Sequence, residues 1–288
     1  MISKVKDPSE IYPIIRKGLE SLGDFSLDSS STVVIKPNLC CIKPQETGAT
    51  TDPKVVEGIV TCLQTDYSVK SIQIVESDGS QVLADMAFKL LGYERLASRM
   101  GVELVNLSKS SFSDEDYPNN SFLRKVRYPD VMRNASFFIS VPKIKTWGEH
   151  SLTAALKNQF GCNPDWRKYR LHRNLDSAIV DLNVAFRPDL IVVDALIAMG
   201  GYRGPVDGVP IRMDTLVFGR DPVAIDHLAA RIMGIDPNTV RYLVEARRRG
   251  VGSTSYTTIG EIPNNLGKRF RISRPRLSNM YNMFRSES

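Results

Sequence analysis

Phe137-Phe-Ile-Ser-Val141-Pro-Lys143-Ile-Lys145-Thr-Trp-Gly-Glu-His150-Ser-Leu-Thr-Ala-Ala-Leu-Lys157-Asn-Gln-Phe-Gly161 is the stretch on which the fold turns. Phe137 to Val141 is an apolar run long enough for one buried strand and too short for a helix. Pro142 has no N–H for a sheet ladder, so it marks where that strand leaves the sheet. Lys143 and Lys145 follow at a spacing of two and point the same way in extended chain. Ser151 suits the N-cap of a helix whose apolar face is Leu152, Ala155, Leu156 and Phe160, with Gly161 as its stop. Lys157 falls on the flank of that face. Two lysines at a strand end, His150 just before a helix start and Lys157 inside the helix form a candidate anion or carbonyl site. The unpaired amides of the first helical turn would reinforce it.

The same alternation recurs on both sides. Continuous apolar or β-branched runs predict strands over Thr32–Lys36, Ser71–Val75, Val102–Leu107, Leu190–Val193 and Thr215–Phe218. Helical spacing predicts helices over Ile11–Leu22, Val82–Leu91 and His172–Phe186, and over Pro237–Arg249. Two more start at Asp52-Pro53 and Asp221-Pro222, each an N-cap followed by proline at the first helical position. Lys109 to Asn120 reads as a polar surface loop, and Leu123 to Tyr128 as an edge strand. Apolar strands alternating with helices indicate an α/β fold: a mainly parallel sheet with helices on both faces, Rossmann-like in layout. The ligand crevice of such a sheet lies beyond the carboxyl ends of its strands. Lys36, Glu76, Lys143, Asp194 and Asp221 fall at or just past predicted strand ends. We read residues 1–262 as one α/β domain, with a division into two lobes near 161–188 as the alternative, and 263–288 as a basic tail.

The chain of 288 residues carries a net charge of +6, with 42% hydrophobic and 24% charged residues, an ordinary globular composition. Lys268, Arg269, Arg271, Arg274, Arg276 and Arg285 stand against Glu287 alone, so most of the excess sits in the tail. A basic tail fits a solvated or partner-docking segment better than a specific nucleic-acid reader. No apolar run reaches membrane-spanning length, and the start Met1-Ile-Ser-Lys lacks the apolar core of a signal peptide. We therefore expect a cytoplasmic protein with no membrane partner. Cys40, Cys41, Cys62 and Cys162 form no Cys-x-x-Cys pair, and no histidine lies at zinc-finger spacing, so no metal site is expected. A Gly-x-Gly-x-x-Gly fingerprint, a Gly-Lys-Ser/Thr phosphate loop and a Gly-x-Ser-x-Gly elbow are absent. Their absence argues against a standard dinucleotide enzyme, nucleoside triphosphatase or serine hydrolase.

Several short motifs, in order, resemble the family called domain of unknown function 362. They are Val34-Ile-Lys-Pro-Asn38, Thr50-Thr-Asp-Pro53, Ala135 through Pro142-Lys-Ile-Lys-Thr146 and Ala155-Leu-Lys-Asn158. His172, Pro188-Asp-Leu-Ile-Val-Val-Asp194, Gly204-Pro-x-x-Gly208 and Gly219-Arg-Asp-Pro-Val-Ala224 complete the set. Many members carry a ferredoxin-like iron–sulfur domain, which implies redox company; its cysteine pattern is absent here. The family often reads Lys-Thr-His where this chain has Lys145-Thr146-Trp147, with His150 as the nearby substitute. More distantly, the Lys-x-Lys, His and Lys-Asn layout resembles the amino-terminal domain of nickel-pincer lactate racemases, where a lysine holds the cofactor and histidines handle metal and proton.

Residues and resemblance together give the candidate set. Lys157, His150, His172 and Lys145 are the candidate catalytic groups. Lys36, Asn38, Thr51, Lys143, Asn158, Asp194, Gly204, Gly208 and Asp221 are the candidate substrate-binding groups. Each has a plainer alternative: a lysine in solvent, a cap for Asp52 and Asp221, a turn for the glycines. The expected function is an enzyme acting on a small carboxylate or phosphate by proton or hydride transfer, with its cofactor unassigned. The alternative is a non-catalytic binding protein, or an electron-transfer or assembly partner without its own cofactor, with a redox protein as its possible partner.

Overall fold

The computed structural model describes residues 1–79, 82–117, 121–146, 152–201, 206–263, 267 and 269–270. His150, Ser151, Gly204 and the tail from Arg271 lie outside the described residues. In chain order the elements are β1 (Ile2–Lys4), α1 (Ile11–Glu20), β2 (Thr32–Pro37), α2 (Pro53–Asp66) and β3 (Ser71–Glu76). Then come α3 (Ala84–Leu90), α4 (Tyr93–Met100), β4 (Glu103–Asn106), β5 (Phe112–Asp116), β6 (Lys125–Pro129) and α5 (Asp130–Arg133). The second half holds β7 (Phe137–Val141), β8 (Lys143–Lys145), α6 (Ala155–Asn158), α7 (Leu175–Ala185) and β9 (Leu190–Gly200). It closes with β10 (Val209–Gly219), α8 (Pro222–Ile232) and α9 (Arg241–Arg248).

The main sheet has the order β1-β10-β9-β7-β2-β3-β4, with β8 also pairing β9. Five of its pairings are parallel, and only β1–β10 and β10–β9 are antiparallel. Strands from both sides of residues 161–188 therefore share one sheet. The β2 sequence shows why it needs cover on both faces. Val33 and Ile35 pack into the cluster with Ile15 of α1 and Val56, Ile59 and Val60 of α2, while Val34 joins Phe138, Leu182 and Phe186 on the other side. Val33, Val34 and Ile35 are fully buried, and each such side chain contributes roughly 1.5–3 kcal/mol relative to exposure. A third cluster gathers α7, α8 and α9 against Ile191, Val193 and Val217.

Several expectations are corrected. The helix expected from Ser151 to Gly161 is only the four residues of α6, continued by a 3-10 turn over Gln159–Cys162. Ala154 precedes α6 and has no side chain to cap it. The amides of Ala155 and Leu156 donate instead to Asp226 Oδ1 of α8, at 2.7 and 3.3 Å. Gly161 therefore stops nothing. Asp194 is not a strand end: β9 runs six residues beyond it to Gly200, because Lys143 and two backbone amides satisfy the carboxylate inside the sheet. The Lys109–Asn120 stretch holds β5, which pairs with β6 in a separate two-stranded sheet. Its residues are too polar to signal a strand by hydrophobic period; cross-strand charges such as Asp114–Arg127 and Asp116–Lys125, each 3.7 Å apart, accompany the ladder. The helix expected from His172 begins at Leu175, and His172 lies in the 3-10 segment Trp166–Asn174 before it.

Candidate functional site

Beyond the carboxyl ends of β2, β3 and β8 lies a cavity of about 300 Å³, at the small end of the range for small-molecule sites. Four lysines line it, Lys36, Lys145, Lys157 and Lys168, and Glu76 is the one carboxylate among its described lining residues. Asn38, Cys40, Thr153, Asn158, Phe160 and His172 complete the part that matters here.

Two of the lysines are pinned. Lys36, at the end of β2, donates to Glu76 Oε2 (2.9 Å), the Pro37 carbonyl (2.9 Å) and Asn158 Oδ1 (3.5 Å). Glu76 ends β3, the neighbouring parallel strand, and its other oxygen accepts the Ser77 amide at 2.9 Å. Lys145 donates to Asn38 Oδ1 (2.7 Å), the Ala49 carbonyl (2.7 Å) and Cys40 Sγ (3.2 Å). An ammonium has three N–H groups, so both are held in place with their hydrogens already engaged. Asn158 ties the floor together: its Nδ2 donates to the Lys36 carbonyl (3.2 Å) and Ser140 Oγ (2.9 Å), and its Oδ1 accepts Asn38 Nδ2 (3.1 Å).

The other two titrate. Burial first, and the Lys145 ammonium second, push the Lys157 amine from its ordinary 10.5 down to about 7. Burial likewise, with Lys36 working against the pull of Glu76, brings Lys168 down to about 8. Lys168 donates to Ser77 Oγ and, at 3.4 Å, to the Asn163 carbonyl. Cys40 is half-buried; a hydrogen bond with the neighbouring Cys41 thiol, then the Lys145 and Lys157 charges, hold its thiol well below the ordinary range against burial. Thr153 is 4% exposed, and its Oγ1 has no hydrogen-bond partner. His172 sits at the rim, exposed, edge-on to Phe160 at 5.5 Å, with Nδ1 3.0 Å from the Tyr169 carbonyl.

Of the expected set, Lys36, Asn38, Lys145, Lys157, Asn158 and His172 come together in the cavity. Lys143 and Asp194 do not; they form a buried ion pair at 3.0 Å, whose carboxylate also accepts the Asp52 and Leu196 amides at 2.7 and 3.0 Å. Burial lowers the Lys143 pKa against the pull of Asp194. Thr51 stands behind the site, where its Oγ1 accepts the Asn38 amide and donates to the Val141 carbonyl, both at 2.8 Å. Asp221 caps α8 through Val223 and Ala224 and accepts the Ser253 amide. Gly208 packs on Met199 and Gly200 rather than on the cavity.

Cys40, Thr153 and Lys168 were absent from the expected site, Glu76 was named only as a residue at a strand end, and the reason for Gly161 was not foreseen. A Cβ on Gly161 would lie 2.5 Å from Glu76 Oε1 and 2.7 Å from Lys36 Nζ. Its backbone φ is not positive, so close approach to the ion pair, not a left-handed turn, requires glycine. Gly161→Ala is expected to cost about 1–3 kcal/mol by overpacking a buried pair, read as a lower midpoint in urea unfolding. An unchanged midpoint would show that the pair yields freely.

Asp226 supports the site from behind. It is fully buried, Oδ2 has no hydrogen-bond partner, and burial outweighs its two amide bonds to raise its carboxyl to about 8. The folded chain thus holds a proton that the unfolded chain releases near the ordinary 3.8. Stability from this group is full below that value and is lost as pH rises towards about 8. Asp226→Asn is expected to flatten this decline in urea midpoints; an identical decline in both proteins would assign it elsewhere.

Among the described residues, no three His, Cys, Asp or Glu side chains gather where they could hold a metal ion. The cavity's described lining offers amines, amides, hydroxyls, one carboxylate, one thiol and the His172 imidazole at its rim.

Comparison with known proteins gives three findings. The model of the family described as "Domain of unknown function (DUF362)" matches residues 33–231. The chain is 25% identical over 270 residues to the thylakoid-associated protein sll1697 of Synechocystis sp., covering 88% of this chain and 79% of that protein. Among solved structures, it is similar to the lactate racemase apoprotein from Thermoanaerobacterium thermosaccharolyticum, with a TM-score of 0.43 and 12% identity. That match covers 82% of this chain and spans only 57% of the racemase chain.

Proposed function

The chain belongs to the domain of unknown function 362 family, and from that premise we propose that it is an enzyme that binds a small carboxylate or phosphate and moves a proton on it through Lys157. The observation that carries this reading is the cavity's lining: four lysines against one glutamate among its described residues. An anion is the ligand that such a site favours, since buried charge is tolerated when paired.

Lys145 is placed to do two things at once. Its charge attracts the substrate anion, and it holds Lys157 near neutrality, where the amine can gain or release a proton. The entering anion offsets Lys145, so Lys157 Nζ takes up a proton on binding and stands beside the substrate as an ammonium that can donate it. Asn38 and Asn158 hold the floor rigid while this happens. Among the alternatives weighed from sequence, a lysine titrating at about 7 favours proton transfer over hydride transfer. A cytoplasmic location belongs to this proposal too. Among the described residues no helix is long and apolar enough to cross a membrane, and one relative is named for association with the thylakoid.

Thermal unfolding with and without ligand tests the reading, because a ligand that binds only the folded chain raises the transition. Lactate, pyruvate or inorganic phosphate is expected to raise it at about pH 6.5, the neutral analogue lactamide is not, and the rise shrinks at about pH 8.5. Equal effects of lactate and lactamide, or no effect of any anion, would contradict it.

A further inference from the structure

The four cavity lysines are arranged as two matched pairs, and we infer that the ligand is a two-ended dianion, a dicarboxylate or a phosphorylated carboxylate, with one end on each pair. This rests on the reading of the cavity as an anion site and narrows its substrate class.

At one end, Lys145 is pinned by Asn38 and Ala49, with Lys157 beside it. At the other, Lys36 is pinned by Glu76 and Pro37, with Lys168 beside it. The pairs are held apart by the amide bridge, in which Asn158 Oδ1 faces Lys36 and accepts Asn38 Nδ2, while Asn38 Oδ1 accepts Lys145. Electrostatics separates them in the same way. The largest charge influences on Lys157 are Lys145 and Cys40, and on Lys168 they are Glu76 and Lys36. A single carboxylate on Lys157 therefore leaves Lys36 and Lys168 with Glu76 as the one carboxylate at their end among the described lining residues.

Each end also has a donor to offer. Lys168 directs two of its three N–H groups to Ser77 and Asn163, leaving one for a ligand. Thr153, joined to Lys145 by paired backbone bonds of 2.8 and 2.9 Å, presents a buried hydroxyl that meets no protein partner. A buried hydroxyl facing a cavity without a partner is costly unless a ligand or water completes it.

Calorimetry at constant ionic strength tests the inference with butyrate, glutarate and inorganic phosphate as probes. Glutarate is expected to bind the wild-type chain about ten-fold or more tightly than butyrate, since the second carboxylate finds its own lysine pair. Lys168→Met is expected to bring the glutarate-to-butyrate ratio close to one. Lys157→Met is expected to weaken both ligands. Butyrate or phosphate binding as tightly as glutarate, or a ratio unchanged by Lys168→Met, would overturn the two-ended ligand while leaving an anion site in place. Binding of none of the three would overturn the anion site itself. If Lys168→Met does not fold, Lys168→Gln takes its place, and the wild-type ratio alone still decides.

Discussion

Lys157→Met is expected to weaken binding of a small carboxylate by on the order of 2–5 kcal/mol, the range for truncating one partner of a close charge pair, while leaving the protein folded. Both halves follow from the same surroundings. The ammonium of Lys157 is disfavoured by burial and by Lys145, so its removal relieves that penalty. The sign against pH is fixed. Folding holds the amine at about 7 where the unfolded chain has 10.5, so between those values the unfolded chain binds more protons and stability rises with pH. Below about 7 the folded chain bears the full penalty. Lys157→Met should therefore be more stable than wild type at low pH, with the advantage fading as pH climbs. Lys157→Arg keeps the charge but cannot release its proton near neutrality, so it should retain anion binding and lose any proton-transfer activity. A Lys157→Met protein that binds the anion as wild type does would remove this lysine from the site.

The second large effect lies outside the cavity. Asp194→Asn is expected to cost about 3–5 kcal/mol of stability, as breaking a buried ion pair by neutralising one partner does. Lys143 would be left charged at 1% exposure in the middle of the sheet, where β8 pairs with β9. The carboxylate's bonds to the Asp52 and Leu196 amides, which fasten the start of α2 to β9, would weaken with it. The double change Lys143→Met with Asp194→Leu should recover much of the loss, because an apolar pair of similar size leaves no charge stranded. Urea unfolding of the two variants measures this, and a single variant within about 0.5 kcal/mol of wild type, the usual range of a surface change, would show the pair to be dispensable.

The sequence made the framework and half of the site legible. Apolar runs such as Val33 to Ile35 and Phe137 to Val141 mark strands buried on both faces, and Asp-Pro pairs mark the starts of α2 and α8 because both signals are local. Lys36, Lys145 and Lys157 could be placed near one another because each sits just past or beside such an element. Their partners could not. Glu76 meets Lys36 only through the pairing of β2 with β3, and that register is not written in either strand. Lys168 comes from the polar 3-10 segment, whose nine residues carry no core periodicity to reveal that its amine turns inward. Lys143 and Asp194 looked like ligand groups because lone charges near strand ends usually face the crevice; pairing inside the sheet leaves them structural. Asp226 reads as the polar face of α8, and only the uncapped start of α6, distant in sequence, explains its burial.

The central claim is that a lysine held near neutrality by a fixed neighbour takes up a proton when an anion enters the cavity. Calorimetric binding of glutarate at about pH 7.5, repeated in buffers of different ionisation enthalpy, counts that proton directly through linkage. Wild type is expected to take up a substantial fraction of a proton on binding, and Lys157→Arg, which binds with its charge already in place, to take up markedly less. Binding with no proton uptake by the wild-type chain, or equal uptake by both proteins, would contradict it.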